Sequence, residues 1–592
     1  MKQTIYDELK SVFGYDTFKP GQEDIVSELL HHNDTLAIMP TGAGKSLCYQ
    51  LPAMMMDGVT IVISPLISLM KDQVDTLNNM GIPTTYINSS LTSRQMDKRL
   101  SELSMMKYKM VYIAPERLES EMFVNRLMQL DIPLIAVDEA HCISQWGHDF
   151  RPSYTKIYDV IQQLPQTPVV AAFTATATQK VEQDIMKLLH LKSPKIIKTG
   201  YERSNLSFSV MKGAVKKDFV EQYLRERQRE VGIIYASTRK EVDQLTTFLQ
   251  QKGFKAGKYH AGMTEKERAH SQEQFLFDHY QVIVATNAFG MGIDKSNVRF
   301  VIHLNIPKDI ESYYQEAGRA GRDGQPGECI LLYAPQDIMM QKFLIEQSEK
   351  EENRVHIEHS NLQKMIDYAH TSECLQRYIV HYFGDHAYDH CGMCSNCKDD
   401  RDVVDITVEA MKIISCVKRM GERFGATMTA KVLKGSQDSK IKQFHFQHLT
   451  TYGIMSTHKE KEILQMIQLL IADGYLTLTE SRYPTLQLNT KSLQVLKGED
   501  KVTQRINRVV KKETTYDEYL FDALRLLRKE FAEKENLPPY TIFHDATLVE
   551  MCSQKPSTKV EFLSIKGAGI AKYNKYGESF MQCISQYMAD KQ

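Results

Sequence analysis

Residues 34–46 read DTLAIMPTGAGKS, and no other stretch restricts the fold of this chain as much. A short apolar run, Leu36 to Met39, passes into a turn of small residues that ends in Gly44-Lys45-Ser46 and a helix-like stretch, LCYQLPAMM. Strand, glycine turn and helix form the opening unit of a parallel α/β sheet. Backbone N–H groups in such a turn converge on phosphate oxygens at the helix N-terminus. Thr41, Gly42, Gly44, Lys45 and Ser46 are therefore the candidate triphosphate cradle. Lys45 would reach the β and γ phosphates of ATP, and Ser46 would hold Mg²⁺. The common pattern for this loop starts with a glycine five residues before Gly44. Met39 stands there instead, so Gly42 and Gly44 must supply the turn.

A second apolar run, LIAV, leads into Asp138-Glu139-Ala140-His141. Two carboxylates thus stand at the C-terminal end of a buried strand, where ligands collect in an open α/β sheet. Asp138 fits the Mg²⁺ role and Glu139 can polarise an attacking water. The bland alternative is a solvated acidic turn, which the nearby phosphate loop makes unattractive.

At 592 residues the chain needs several cores. The strand–helix alternation restarts near residue 230 with VGIIYAS, QVIVATNAFGMGID and VRFVIHLN. That predicts a second parallel-sheet domain, without a phosphate loop of its own. It carries Arg319 and Arg322 in QEAGRAGRDG, three residues apart and expected on one face of a helical turn. Guanidinium forks suit a transferring phosphate; a solvated basic loop is the alternative. The formal net charge is -1, so any nucleic-acid surface must be local. One such place follows the carboxylates: the single tryptophan, Trp146, stands among His148, Phe150, Arg151 and Tyr154. Aromatics offer bases a stacking platform and arginine pairs with phosphate, although a lone tryptophan more often packs in a core. No apolar run is long enough for a membrane span, and the N-terminus lacks the apolar stretch of a secretory signal. A cytoplasmic chain without membrane contact is expected.

Four of the ten cysteines, Cys374, Cys391, Cys394 and Cys397, follow C-x16-C-x2-C-x2-C. Four thiolates with no open position suit structural Zn²⁺; an iron–sulfur cluster and a redox dithiol are the alternatives. Farther on, TVEAMKIISCVKRM and EILQMIQLLIADGYL carry helical spacing, and GYLTLTESRYPTLQL reads as two strands around a short tip. Helices plus a wing make a winged-helix plan with Arg482 and Tyr483 at the tip; an ordinary hairpin is the alternative. KVTQRINRVVKK (501–512) reads as a basic linker. The remainder is helical, and Gly567-Ala568-Gly569 with Lys572 marks a helix start that could meet phosphate. A protein-binding module or a solvated surface are the alternatives there.

The strings FGYDTFKPGQ, MPTGAGKS, SPLISLMKDQ, DEAHCISQWGHDFRPSY, FTATAT and YYQEAGRAGRDG together resemble superfamily 2 helicases, and more narrowly the RecQ family. The resemblance spans nearly the whole chain, and the last helices resemble the helicase-and-RNase-D C-terminal (HRDC) domain. It implies an α/β fold with two tandem RecA-like parallel-sheet motor lobes, 1–207 and 208–341. A zinc-binding helical module (342–406), a winged-helix domain (407–500), a basic linker (501–513) and an HRDC-like helical domain (514–592) would follow. It assigns adenine recognition to Gln22 with Phe18 and Lys19 beside it, and places Gln315, Arg319 and Arg322 on ATP, Arg322 as the main arginine finger. The loop around Trp146 would sense single-stranded DNA, with His141 and Thr174 as relays. The implied activity is ATP-dependent DNA unwinding in the 3′ to 5′ direction, on single-stranded and branched DNA, by a chain favoured to be monomeric. ATP, Mg²⁺ and Zn²⁺ would be its cofactors; single-strand-binding and recombination proteins would be its partners. An RNA remodeller and a duplex translocase are the rival motors.

Overall fold

In a computed structural model, residues 2–147, 149–290, 295–347, 352–386, 388–398, 403–479, 484–505, 517–535 and 537–590 are described. The first lobe is a seven-stranded sheet built from β1 (Thr35–Ile38), β2 (Thr60–Ile63), β3 (Thr84–Ile87), β4 (Met110–Ile113), β5 (Leu134–Val137), β6 (Val169–Thr174) and β7 (Lys195–Lys198). Its order is β3-β4-β2-β5-β6-β1-β7, and every pairing is parallel. Successive side chains of a strand point to opposite faces. Ile61, Ile63, Ile135 and Val137 accordingly enter one apolar cluster, while Val62, Ala136, Ala37 and Phe173 enter the other. Burial on both faces is why these strands read as continuous apolar runs.

The order has a direct consequence for the site. Strands β5, β6 and β1 are neighbours, so their C-terminal ends bring Asp138, Thr174 and the Gly42–Ser46 turn to one edge. The second lobe is a six-stranded sheet of β8 (Leu206–Lys212), β9 (Val231–Tyr235), β10 (Ala256–Tyr259), β11 (Val282–Ala285), β12 (Val298–His303) and β13 (Gly327–Tyr333), in the order β10-β11-β9-β12-β13-β8. It too is wholly parallel.

The cysteine module packs on β8: Ser395 N–H donates to the Phe208 carbonyl at 2.8 Å, and Ser207 Oγ donates to the Met393 carbonyl at 2.9 Å. Helices Thr407–Arg419, Ala426–Lys434 and Glu460–Ala472 then enclose a separate apolar core. Beside them stands the expected wing, strand Thr477–Leu478 paired antiparallel with strand Leu486–Gln487. Its tip, including Arg482 and Tyr483, lies outside the described residues. One correction concerns the segment read as a linker. Thr503–Arg505 forms a strand paired antiparallel with Val403–Asp405, and buried Val502 anchors it through the Thr407 hydroxyl. The β-branched pair Val502-Thr503, with Val502 buried, outweighs the positive charge that suggested a linker.

The last unit is all-helical, from Glu518–Glu535 to Glu578–Asp590, around Leu520, Leu524, Phe543, Phe562 and Phe580. Arg528 is fully buried within it and pairs with Asp545 at 2.8 Å. The unit rests on the second lobe through Arg229–Asp522 at 2.7 Å and Ser296–His544 at 2.8 Å. Among the described residues, no helix is long and apolar enough to cross a membrane.

Candidate ATP and DNA-coupling site

The phosphate loop takes its shape from two glycines in the left-handed region, Gly42 (φ 86°) and Gly44 (φ 82°), a conformation that costs other residues about 1–2 kcal/mol. Space is as restrictive as φ: a Cβ on Gly44 would come within 2.5 Å of Gln22 Nε2. Helix Lys45–Met55 starts immediately after, and Lys45 Nζ donates to the Met39 carbonyl at 3.2 Å. Burial holds the Lys45 ammonium below its ordinary range, against the pull of Glu139 and Asp138. Met39, standing where a glycine is usual, is itself fully buried and closes the floor of the loop.

Gln22 is buried and engaged with the loop. Its amide donates to the carbonyls of Ala43 and Gly44, each at 3.0 Å, and its oxygen accepts the Lys19 N–H at 2.8 Å. Lys19 Nζ donates to the Gly42 carbonyl at 3.0 Å. Phe18 packs edge-on against Tyr6, with centroids 5.2 Å apart. The side chain that the resemblance assigns to adenine therefore also shapes the phosphate loop.

Asp138 is buried at the end of β5, held by the Glu139 N–H at 3.0 Å and by Ser64 Oγ at 3.4 Å. Burial, then the like charge of Glu139, pushes its carboxyl up to about 7, with Lys45 opposing. Tyr154, expected in the DNA loop, is fully buried and donates from its hydroxyl to the Asp138 carbonyl at 2.8 Å. It braces the carboxylate turn from behind. Glu139 itself sits at φ 47°, a left-handed conformation that a non-glycine residue adopts at a cost of about 1–3 kcal/mol. Such strain concentrates where a side chain must be aimed.

From Glu139 a path of contacts crosses to the second lobe. Its Oε2 lies 3.3 Å from His141 Nδ1, which is 2.9 Å from Thr174 Oγ1. The Thr174 hydroxyl donates to the Thr176 carbonyl at 3.0 Å, so the shared histidine proton belongs on Nδ1. Burial lowers His141 to about 4, which leaves it neutral near pH 7. Thr176 Oγ1 then accepts from Gln315 Nε2 of the second lobe at 3.1 Å.

The two arginines separate. Helix Ile310–Ala317 ends before them and Gly321 takes a left-handed φ of 60°, so they occupy turns instead of one helical face. Arg322 lies against the phosphate loop; a Cβ on Gly42 would be 3.5 Å from its Cα and Cγ. Arg319 is buried and donates to the Gly290 carbonyl within its own lobe. Arg203 was not singled out by any motif, yet it ties these parts together. Its guanidinium donates to the Thr41 carbonyl at 2.8 Å and reaches the carbonyls of Gly318, Ala320 and Gly321 at 3.4, 3.3 and 3.5 Å. The only sequence signal for it is a lone basic residue in the short connection between the two sheets.

Of the aromatic and basic loop, Trp146 is 39% exposed and His148 lies outside the described residues. Phe150 is half-buried, and Arg151 pairs with Asp149 at 3.1 Å while donating to the Pro65 carbonyl at 3.1 Å. Lys572, in the last unit, turns inward: burial lowers its ammonium to about 8, and it lies 5.5 Å from the Phe543 ring centroid.

The four cysteine sulfurs lie within 4.8 Å of one another, with neighbouring pairs at 3.5–3.9 Å. Tetrahedral ligands about 2.3 Å from a zinc ion would stand about 3.8 Å apart, so the cluster fits that ion. Backbone N–H groups of Arg377, Cys391, Cys394 and Cys397 point at the sulfurs and favour thiolates. His381 and His390 are turned to the Tyr388 carbonyl and to Asp389.

Two facing parallel sheets, a phosphate loop with a paired-carboxylate turn on one and arginines on the other define a two-lobed helicase-type ATPase. Residues 19–185 match the DEAD/DEAH box helicase family and 215–324 the helicase conserved C-terminal domain. Residues 335–398 match the RecQ zinc-binding family, 400–513 the RQC domain and 517–584 the HRDC domain. The chain is 49% identical over 580 residues to the ATP-dependent DNA helicase RecQ of Bacillus subtilis, covering 98% of each chain. It is 40% identical over 601 residues to the protein of that name in Haemophilus influenzae, covering 99% of this chain and 97% of that one. The chain belongs to the RecQ family of ATP-dependent DNA helicases.

Proposed function

We propose that this chain moves 3′ to 5′ along single-stranded DNA and opens duplex or branched DNA, as at replication forks and recombination intermediates. The path Glu139–His141–Thr174–Thr176–Gln315 carries the reading, because it joins the water-activating carboxylate to the opposite lobe. In this account Lys45 and the Gly42–Ser46 turn bind the triphosphate, and Gln22 with Phe18 and Lys19 holds the base. Glu139 takes the proton of the attacking water, and Arg322 stabilises charge on the transferring phosphate. Mg²⁺ would be held by the hard oxygens of Ser46 and Asp138 and would neutralise phosphate charge. Loss of the γ phosphate removes the ligand between Lys45 and Arg322, and the lobes part. Arg203 and Gln315 pass that movement to the loop around Trp146, which meets the DNA.

The same reading takes 1–207 and 208–341 as the lobes and 342–406 as the zinc module. Residues 407–505 form the winged helix and 514–592 the HRDC-like unit. It places the chain in the cytoplasm, acting on nucleoid DNA with single-strand-binding and recombination proteins as partners.

ATP hydrolysis without nucleic acid, with single-stranded DNA and with single-stranded RNA of the same sequence tests the substrate class. Stimulation of about tenfold or more by DNA is expected, with RNA well below it, as for sites that distinguish a 2′-hydroxyl. Equal stimulation by the two would transfer the chain to the RNA remodellers.

A further inference from the structure

The segment Ser144–Gly147 is fastened to its surroundings on two sides. Arg354, from helix Glu352–His370 beside the cysteine module, donates to the carbonyls of Gln145 and, at 3.0 Å, Gly147. On the other side stands helix Gln179–Leu188, which begins just after the Thr174–Thr176 relay. Asp184 of that helix accepts from Ser144 Oγ at 2.6 Å, and the same oxygen accepts the Trp146 N–H at 3.1 Å. Lys180, four residues before Asp184 and so on the same helical face, places its ammonium over the Trp146 ring.

That position is notable because no carboxylate calls for it. Lys180 is exposed and, among the described residues, forms no ion pair; Asp184 is engaged by Ser144. A cation over an indole face is attracted by the ring quadrupole. A nucleobase stacking on Trp146 needs the same face. The two cannot occupy it together.

We propose that Lys180 is a latch on the DNA-sensing loop. In the DNA-free protein its ammonium covers the face of Trp146, and an arriving base displaces it. Lys180 lies on the helix that begins just after the Thr174–Thr176 relay, which places the latch between the loop and the path to the ATP site. This inference rests on the reading of the Trp146 loop as the DNA sensor.

Trp146 is the single tryptophan, so emission excited at the red edge, where the tyrosines do not absorb, reports this site alone. Wild type, Lys180→Ala and Lys180→Arg would be compared by acrylamide quenching without DNA, then by emission and ATPase during titration with single-stranded DNA. In Lys180→Ala, quenching should steepen by about twofold and the half-saturating DNA concentration should fall by about threefold to fivefold, the scale of an exposed cation–π contact. Lys180→Arg, which can still stack, should stay near wild type. Unchanged quenching in Lys180→Ala, or changed quenching with an unchanged DNA requirement, would overturn the latch. A separate failure is recognisable: wild-type emission that ignores DNA while ATPase responds would remove the sensor reading, and the latch with it.

Discussion

Glu139→Gln is expected to lower DNA-stimulated ATP hydrolysis by about 10²- to 10⁴-fold, the range assigned to a positioned general base. The substitution preserves shape and removes basicity. It leaves Lys45, the left-handed glycines of the phosphate loop and the Gln22 contacts in place. Binding of a non-hydrolysable ATP analogue should therefore change by less than about threefold, because ground-state contacts are retained. The variant should trap ATP between the lobes and open no DNA. Steady-state ATPase and analogue binding, measured side by side, separate the two effects. Full ATPase activity in Glu139→Gln would mean that another group activates the water.

The second large effect is expected at the metal centre. Cys394 is fully buried, its sulfur 3.9 Å from that of Cys374, and it accepts the Cys397 N–H at 3.3 Å. Cys394→Ser should lower zinc affinity by more than the ~10–100-fold that changes around a metal's ligands cost. Metal binding at such small modules is folding free energy, on the order of 10–16 kcal/mol at pH 7. The damage should spread, because the module is a junction. It is bonded to β8 through Ser395 and Ser207, and Phe383 stacks on Tyr201 of the interlobe connection at 4.4 Å. Asp473 of the next domain accepts from Ser372 Oγ at 2.7 Å. Zinc content should drop from one equivalent towards none, with loss of DNA binding and a lower unfolding temperature. Stable, zinc-free protein with wild-type DNA binding would contradict a structural role for the ion.

The parts of this molecule that were legible in the sequence are those whose chemistry is local. The phosphate loop, the Asp138-Glu139 turn and the cysteine quartet each lie in one short segment, and the two motor sheets follow from repeated apolar runs. What escaped reading depends on contacts between distant segments. Arg203 reaches Thr41 across the whole first lobe. Tyr154 looks like a member of an aromatic loop, but its hydroxyl goes beneath Asp138. Lys572 stands at a helix start that could meet phosphate, but its ammonium lies over the Phe543 ring of its own unit. Lys180 lies on an amphipathic helix where an exposed lysine is unremarkable until Trp146 is placed under it. Spacing also misplaced Arg319 and Arg322 on one face, since the chain turns at Gly321 between them and sends one toward Gly290 and the other toward Gly42.

Strand displacement on three matched substrates tests the central claim most directly. A 3′-tailed DNA duplex, a 5′-tailed DNA duplex and a 3′-tailed RNA duplex would each be incubated with and without ATP and Mg²⁺. ATP-dependent opening of the 3′-tailed DNA alone is the predicted result. Opening of the 5′-tailed DNA or of the RNA in preference to it, or no opening despite DNA-stimulated hydrolysis, would contradict the proposed 3′ to 5′ DNA-unwinding motor.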